Sequence, residues 1–151
     1  MRHRQAIAVL ALVGLFIATY LWLYKIGVIG ELKCGTGECE YVQSSRYAWL
    51  FGQPVALYGV VGYLVLFVLA LVGLQPRWLA RPGPTRWLAG LSVVGFGFTL
   101  YLTWLELFVI HAICRWCVAS AVVITAIAAI AIPVALRTPA PRTDPSAEPP
   151  R

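Results

Sequence analysis

The cysteines are the most reactive residues of this sequence, and they form two pairs. Cys34 and Cys39 lie in a polar stretch after the first long apolar run, and the glycines between them let the chain turn tightly enough for the two thiols to meet. Cys114 and Cys117 form a Cys-x-x-Cys pair at the start of the last apolar run. Residues three apart in a helix share one face, so these thiols are also close enough to be bridged. Two dithiols in one apolar chain predict electron transfer between thiols and disulfides.

The position of the Cys114–Cys117 pair predicts that it is reactive. The positive end of the following helix and the neighbouring Arg115 both favour a thiolate, which is the nucleophilic form of cysteine. A disulfide there is expected to be readily reduced, and it lies at a depth that a lipid-soluble two-electron carrier can reach. Two other interpretations stay open: a zinc site that uses all four cysteines, and a pair that only packs.

The two pairs are expected to face the same compartment, and this favours a relay. Disulfides persist outside the cytosol, where a lone loop pair is more often a structural clip. Exchange between thiols and disulfides proceeds through mixed disulfides and needs contact, so four converging cysteines indicate a chain of transfers. Electrons then pass from an external dithiol to the loop pair, to the helix pair and on to a carrier in the lipid. The alternative is a non-enzymatic membrane scaffold whose outer loop is stapled.

Composition predicts the elements that position these cysteines. The chain has 151 residues, of which 60% are hydrophobic and 12% charged, and a mean hydropathy of +0.79. Crossing a bilayer takes about 20 apolar residues. Four runs are long enough, at residues 6–24, 55–74, 87–110 and 114–136. We therefore predict an all-α membrane protein, a four-transmembrane-helix bundle over residues 1–136, followed by a disordered, proline-rich cytoplasmic tail at 137–151.

The net charge of +6 predicts orientation and not nucleic-acid binding. Arginines concentrate before the first run, between the second and third, and after the fourth, whereas the other side balances its cations with glutamates. Positive loops stay on the cytoplasmic side. We expect a plasma-membrane protein with both termini cytoplasmic and the cysteines extracytoplasmic. The first run is too long for the apolar part of a signal peptide and is expected to remain uncleaved.

The connections are predicted to differ in structure. Aromatic residues recur through 41–51, which indicates a short segment in the headgroup layer that folds back over the bundle. The link 75–86 holds three prolines and reads as a plain turn. The third and fourth runs are joined by almost nothing and are expected to form a tight antiparallel hairpin.

Together these residues resemble the vitamin K epoxide reductase family, in the form of a bacterial member without a fused thioredoxin-like domain. The resemblance covers about residues 5–135. It is carried by Cys34-x4-Cys39, Val42-x-Ser44-Ser45, Phe51-Gly-x-Pro-Val-Ala-Leu-x-Gly59, Tyr63, and Glu106 followed by Cys114-x-x-Cys117. Other four-helix, quinone-coupled thiol oxidases carry their Cys-x-x-Cys early and their loop pair later, and they are the alternative family.

The resemblance implies a role for each cysteine. Cys117 faces a membrane quinone, either ubiquinone or menaquinone, and passes electrons to it. Cys114 exchanges with Cys39, and Cys34 meets a separate thioredoxin-like disulfide oxidase. Ser45 matches a serine or threonine near the family's active site, although a cap on a short loop helix explains it about as well. The implied enzyme is a thiol:quinone oxidoreductase that supports disulfide-bond formation and uses no metal.

The resemblance also proposes quinone contacts. Besides Cys117 these are Phe51, Tyr58, Glu106 and His111, of which the last two are polar residues near the outer end of the helices. His111 is a candidate proton relay, and snorkelling toward water explains both Glu106 and His111 nearly as well.

Two departures from the animal branch bear on the substrate. Ala121 stands where that branch has a tyrosine, and Val55 stands where it has an asparagine. Ordinary quinone reduction is therefore favoured over epoxide reduction.

Overall fold

The computed structural model describes residues 2–35, 38–79 and 83–137. The helices of these segments, in chain order, are α1 (Arg2–Lys25), α2 (Glu38–Ser44), α3 (Val55–Leu74), α4 (Pro76–Leu79), α5 (Gly83–Leu105) and α6 (Arg115–Arg137). A wider π-helical turn, Glu106–Ile110, extends α5. Four helices are long and apolar enough to cross a membrane: α1, α3, α5 with its extension, and α6. The predicted all-α, four-span membrane fold is confirmed.

The start of the third span was predicted four residues too late. Helix α5 begins at Gly83 rather than at residue 87, because Pro84 lies in the first turn, where a helix needs no backbone N–H. The link predicted as a plain turn also contains the four-residue helix α4. Of the predicted tail, Arg137 ends α6, and 138–151 lie outside the described residues.

Small residues let the long helices pack closely. Helix α1 packs against α3 and α6, and α5 packs against α6 and α3, which closes a four-helix bundle. The ring of Tyr63 on α3 lies over Gly14 on α1, in space that a Cβ atom at this glycine would occupy. The Tyr63 hydroxyl also donates to the Ser120 carbonyl on α6 at 2.8 Å. Tyr63 thus joins three helices, as is typical of membrane bundles built on small residues.

A buried arginine ties the helices together at one end of the bundle. The Arg4 side chain, which α1 contributes, is buried. Its guanidinium donates to the Gly73 carbonyl at the end of α3, to the Thr85 hydroxyl on α5 at 2.8 Å, and to the Trp78 carbonyl on α4 at 3.4 Å. We call this the arginine end. A planar fork of donors suits such a set of acceptors.

The opposite end is covered by residues 26–54, the capping loop. Helix α2 buries Cys39, Val42 and Gln43. After α2 come a 3-10 turn, Arg46–Ala48, and an antiparallel hairpin of β1 (Trp49–Leu50) and β2 (Gln53–Pro54). The Lys25 ammonium at the end of α1 donates to the Gln43 carbonyl and lies 4.8 Å from the Trp49 ring centroid. The loop therefore folds back over the bundle as predicted, and its exposed aromatic residues are Tyr41, Tyr47, Trp49 and Phe51.

Candidate functional site

The loop cysteines form a disulfide within the capping loop. Cys34 and Cys39 are bonded, with their Cα atoms 6.0 Å apart, so the predicted meeting of these thiols is confirmed. Gly35 adopts a left-handed φ of 74°, which glycine tolerates without strain, and it starts the reversal between the two cysteines. Cys34 is 4% exposed and Cys39 is 0% exposed. This bond engages two of the four thiols that the zinc interpretation requires.

Cys114 and Cys117 are free thiols at the start of α6. Cys114 precedes the helix and caps it, because its carbonyl accepts the Val118 N–H at 2.9 Å and its sulfur accepts the Cys117 N–H at 3.3 Å. A hydrogen bond from the Cys117 thiol lowers the pKa of Cys114, although burial opposes this effect. The predicted position at the positive end of a helix is confirmed. Arg115, which is predicted to favour the thiolate, donates to the Cys34 carbonyl at 3.5 Å.

The connection from α5 to α6 is a tight hairpin, as predicted, and a strained backbone closes it. His111 adopts a left-handed φ of 55°, and the Ala112 N–H reaches back to the Glu106 carbonyl at 3.2 Å. Two carboxylates bind the next N–H groups: Glu38 on α2 accepts that of Ile113 at 3.1 Å, and Glu106 accepts that of Cys114 at 3.3 Å. This turn therefore holds the Glu106 carboxyl inside the bundle, against the first residue of the cysteine pair.

The Cys117 sulfur lies between two polar side chains. The Gln43 amide on α2 donates to it at 3.7 Å, a normal distance for a sulfur acceptor. The Glu106 carboxyl lines the same small cavity as this sulfur and accepts the Cys114 N–H three residues before it. Both Gln43 and Glu106 are 7% exposed. The chain therefore brings one donor and one acidic group to the same thiol.

Cys117 lines a small cavity of about 50 Å³ between the capping loop and α5. The other lining residues are Val42, Gln43, Ser45, Tyr47, Ala48, Val55, Leu102, Leu105, Glu106 and Ile110. An apolar wall with a few polar groups suits a quinone ring. The volume is below the roughly 300–1,000 Å³ typical of small-molecule sites. A ring must therefore displace part of the lining or enter it only at its edge.

Besides Cys34, Cys39 and Cys114, six residues were predicted for the site: three of them meet in this cavity and three lie outside it. Ser45, Glu106 and Cys117 line it, and the Ser45 hydroxyl donates to the Val42 carbonyl at 2.7 Å at the end of α2. Phe51 is 91% exposed in the hairpin turn. The Tyr58 hydroxyl donates to the Leu50 carbonyl at 3.0 Å, which fastens the hairpin to α3. His111 is exposed at the turn before α6.

Gln43 is the residue that sequence reasoning missed. A single glutamine in a polar stretch carries no chemical signal of its own. Its spacing was the available clue, because Gln43 follows Cys39 by four residues and must share its face in a short helix.

A second, wider cavity opens beside the loop disulfide. It measures about 390 Å³ and is lined by Lys33, Cys34, Gly35, Arg115, Trp116 and Ala119. Cys34 lines this cavity and Cys39 does not, although both belong to the buried core. The two cavities therefore give the loop pair and the helix pair separate openings.

A comparison with known families accounts for this arrangement. The family described as the vitamin K epoxide reductase family matches residues 5–132. The match includes all four cysteines, all four long helices down to the last turn of α6, and the capping loop. Members of this family are membrane oxidoreductases that act on thiols and disulfides, use quinones and generally work with a thioredoxin-like partner. The chain, a membrane oxidoreductase with a disulfide-bonded loop and a free Cys-x-x-Cys dithiol, belongs to the vitamin K epoxide reductase family.

Proposed function

We propose that this chain takes electrons from a separate thioredoxin-like dithiol protein and delivers them to a membrane quinone, so that the partner is returned as a disulfide donor. The observation that carries the proposal is the placement of the four cysteines. Cys34 and Cys39 are bonded while Cys114 and Cys117 are not, and all four lie at one end of the bundle, which we call the cysteine end. The two pairs are therefore placed for thiol–disulfide exchange within this end.

The wider cavity supports Cys34 as the residue that meets the partner. An incoming thiolate needs access to one sulfur of the loop disulfide, and exchange needs contact between the sulfurs. Cys34 lines an opening that a partner's loop can enter. Cys39 is 0% exposed, as is Cys114, and both belong to the same buried cluster. Transfer from Cys39 to Cys114 is therefore the internal step.

The smaller cavity supports Cys117 as the residue that reduces the quinone. Its sulfur lines the cavity, with Ser45 and Glu106 as polar neighbours for a quinone oxygen. Phe51, Tyr58 and His111 lie outside the cavity, so in this proposal the first two support the capping loop and His111 shapes the turn before α6. The substrate is ubiquinone or menaquinone.

The chemistry balances as two dithiol–disulfide exchanges followed by one oxidation. The partner dithiol reduces Cys34–Cys39 and becomes a disulfide. The loop dithiol then reduces a Cys114–Cys117 disulfide. Finally the Cys114–Cys117 dithiol gives two electrons and two protons to the quinone, which leaves as a quinol, and the disulfide between these cysteines reforms.

We also propose that the cysteine end faces the extracytoplasmic side of the plasma membrane. The arginine end carries Arg2 and Arg4, and Arg77, Arg86 and Arg137 lie on the same side of the bundle. Positive charge stays on the cytoplasmic side. Thiol labelling of intact cells with an impermeant reagent after reduction should reach Cys34. Labelling only in lysed cells would reverse the orientation.

The direct test combines purified protein, a reduced thioredoxin-like dithiol protein and a short-chain ubiquinone analogue. We expect quinol to form and partner thiols to disappear in equal two-electron amounts. Replacing Cys39 with serine should trap a Cys34–partner disulfide, and replacing Cys117 with alanine should trap Cys39–Cys114 within the chain. A loop disulfide that stays fully oxidised in the presence of reduced partner would instead identify a stapled scaffold.

A further inference from the structure

Two buried polar side chains from different elements flank Cys117 in the small cavity. Gln43 comes from α2 in the capping loop, and Glu106 comes from the π-helical turn after α5. Burying a carboxyl group in an apolar site costs free energy, so such a group calls for a chemical reason. A chemical role for Gln43 and Glu106 rests on the proposed function, because it concerns the last step of that reaction, the oxidation of the dithiol by the quinone.

A comparison of Glu38 with Glu106 distinguishes the structural role of a carboxylate, which is to accept a backbone N–H, from a role in proton transfer. Glu38 and Glu106 each accept a backbone N–H of the turn before α6, those of Ile113 and Cys114. Glu38 does so from an exposed position, whereas Glu106 lies inside the cavity wall beside Cys117. Accepting one N–H requires an oxygen but no charge, and a glutamine would serve equally well. What a carboxylate adds at this position is the ability to take a proton.

The last step of the reaction needs such a group. Oxidation of the Cys114–Cys117 dithiol releases two protons, and the thiolate is the reactive form. The cavity of about 50 Å³ has room for only a few water molecules beside the sulfur. The side chains lining it that can exchange a proton are Glu106, Cys117, the Ser45 hydroxyl and the Tyr47 phenol, and among these Glu106 is the carboxyl group.

We propose that Glu106 is a catalytic base that accepts the Cys117 thiol proton and passes it to a quinone oxygen, while the Gln43 amide hydrogen-bonds the sulfur that has lost it. The S–H bond of Cys117 breaks and its electron pair stays on sulfur. The S–S bond with Cys114 then forms as two electrons leave to the quinone. One proton reaches the quinol through Glu106, and the second comes from the Cys114 thiol.

The Gln43 amide, which donates to the Cys117 sulfur, is positioned by the capping loop. Gln43 lies one helical turn after Cys39, so α2 presents the loop disulfide and the amide donor from the same buried face. The Lys25 ammonium fixes this end of α2 by binding the Gln43 carbonyl. The loop that brings electrons to Cys114 therefore also supplies the hydrogen bond for Cys117.

The test of the base separates the two half-reactions. The full-length Glu106→Gln variant keeps the acceptor for the Cys114 N–H and loses the base, and Glu38→Gln is its matched control. We expect Glu106→Gln to slow oxidation of the dithiol enzyme by a short-chain ubiquinone analogue by about a hundredfold or more. Reduction of the same enzyme by the partner dithiol, without quinone, should stay unchanged. Glu38→Gln should leave both rates unchanged.

Three outcomes count against this role. They are a wild-type quinone rate in Glu106→Gln, an equal loss in Glu38→Gln, and a Glu106→Asp variant that is no faster than Glu106→Gln. Loss of both half-reactions in Glu106→Gln would make the residue structural and also overturn the base. If the wild-type protein itself reduces no quinone, the proposed function fails, which is a different result.

The donor is tested with Gln43→Met, which keeps the length of the side chain and removes its N–H. Ser44→Ala, on the exposed neighbouring residue, is the control. Loss of a hydrogen bond to a charged sulfur should slow the quinone step by about tenfold to a hundredfold. An unchanged rate in Gln43→Met would remove Gln43 from the mechanism.

Discussion

The two ends of the bundle are held together in different ways. At the arginine end, one side chain from α1 reaches carbonyl and hydroxyl groups on α3, α4 and α5. At the cysteine end, a disulfide closes the capping loop, Lys25 binds the end of α2, and two carboxylates bind N–H groups of a strained turn. One end is held by a single guanidinium. The other is held by several separate contacts, and its loop contains a disulfide that the proposed reaction opens.

This difference shows where a small membrane bundle can place chemistry. A guanidinium that satisfies three acceptors holds helices in one arrangement, because leaving any of these acceptors unpaired in a buried site is costly. A loop held by separable contacts can release one sulfur without loosening the bundle. Changes at the arginine end should therefore alter stability, and changes at the cysteine end should alter turnover.

The largest expected effect is on turnover, from Cys117→Ala. A two-electron transfer requires a dithiol that can close, so this variant should lose quinone reduction even when a small reductant bypasses the loop pair. Quinol formation in detergent-solubilised protein measures it. Arg4→Ala, assayed at a temperature where it stays folded, should retain activity. Quinone reduction by Cys117→Ala would contradict the claim that the cysteine end determines turnover while the arginine end determines stability.

Arg4→Ala should give the largest loss of stability. It leaves the Gly73 carbonyl and the Thr85 hydroxyl without their buried donor, at a cost of about 1–3 kcal/mol. The measurement is the midpoint of thermal unfolding in detergent. Arg4→Lys should recover part of the loss, since an ammonium lacks the fork of donors. Arg2→Ala, on an exposed neighbour, is the control, and an equal loss there would mean that Arg4 acts only through its charge.

A smaller effect is expected on the titration of Cys114. The pKa of this thiol is lowered by a hydrogen bond from Cys117. Cys117→Ser keeps a hydroxyl donor and Cys117→Ala does not, and Cys114 is a free thiol in the fraction of either variant whose loop disulfide is intact. The Cys114 thiolate should therefore form at lower pH in Cys117→Ser than in Cys117→Ala. Thiolate absorbance measured against pH, with the loop disulfide intact, tests this. Coincident curves would exclude the hydrogen bond as the cause.

The smallest effect concerns His111 and separates a turn residue from a proton relay. Its φ of 55° favours glycine, so His111→Gly should keep both stability and turnover, whereas His111→Val should lose about 1–2 kcal/mol. Unfolding midpoints and quinol formation are compared in the two variants. A stable His111→Gly protein with reduced turnover would give the imidazole a chemical role.

The sequence predicts the helices well because length and hydropathy determine them almost alone. The ends of the second span were predicted to the residue, and the third was missed only where prolines and arginines precede the apolar run. The meeting of Cys34 with Cys39 followed from short spacing. Helix ends and the spacing of two nearby cysteines depend on residues close together in the chain, so the pattern of residue types predicts them.

The geometry around Cys117 was less predictable because it depends on contacts between distant segments. Glu106 was a candidate, but the π-helical turn that aims its carboxyl inward leaves no clear pattern in the sequence. Gln43 reaches the sulfur across 74 residues of chain. Arg115 is adjacent to Cys114 in sequence, and its exposed side chain donates to the Cys34 carbonyl, 81 residues away along the chain. A contact between segments so far apart is not visible in the local sequence.

The length of α3 indicates where the small cavity lies relative to the bilayer. Its 20 residues, at 1.5 Å each, measure about 30 Å, which is the thickness of the hydrocarbon core of a bilayer. Val55 is the first of these residues, and it lines the same cavity as Cys117. With α3 spanning the hydrocarbon core, this cavity is expected at the boundary between hydrocarbon and water, where the exposed aromatic side chains of the capping loop are favoured. In the proposed function, a water-soluble partner would reach Cys34 and a lipid-soluble quinone would reach Cys117 at the same boundary, and neither would have to leave its own solvent.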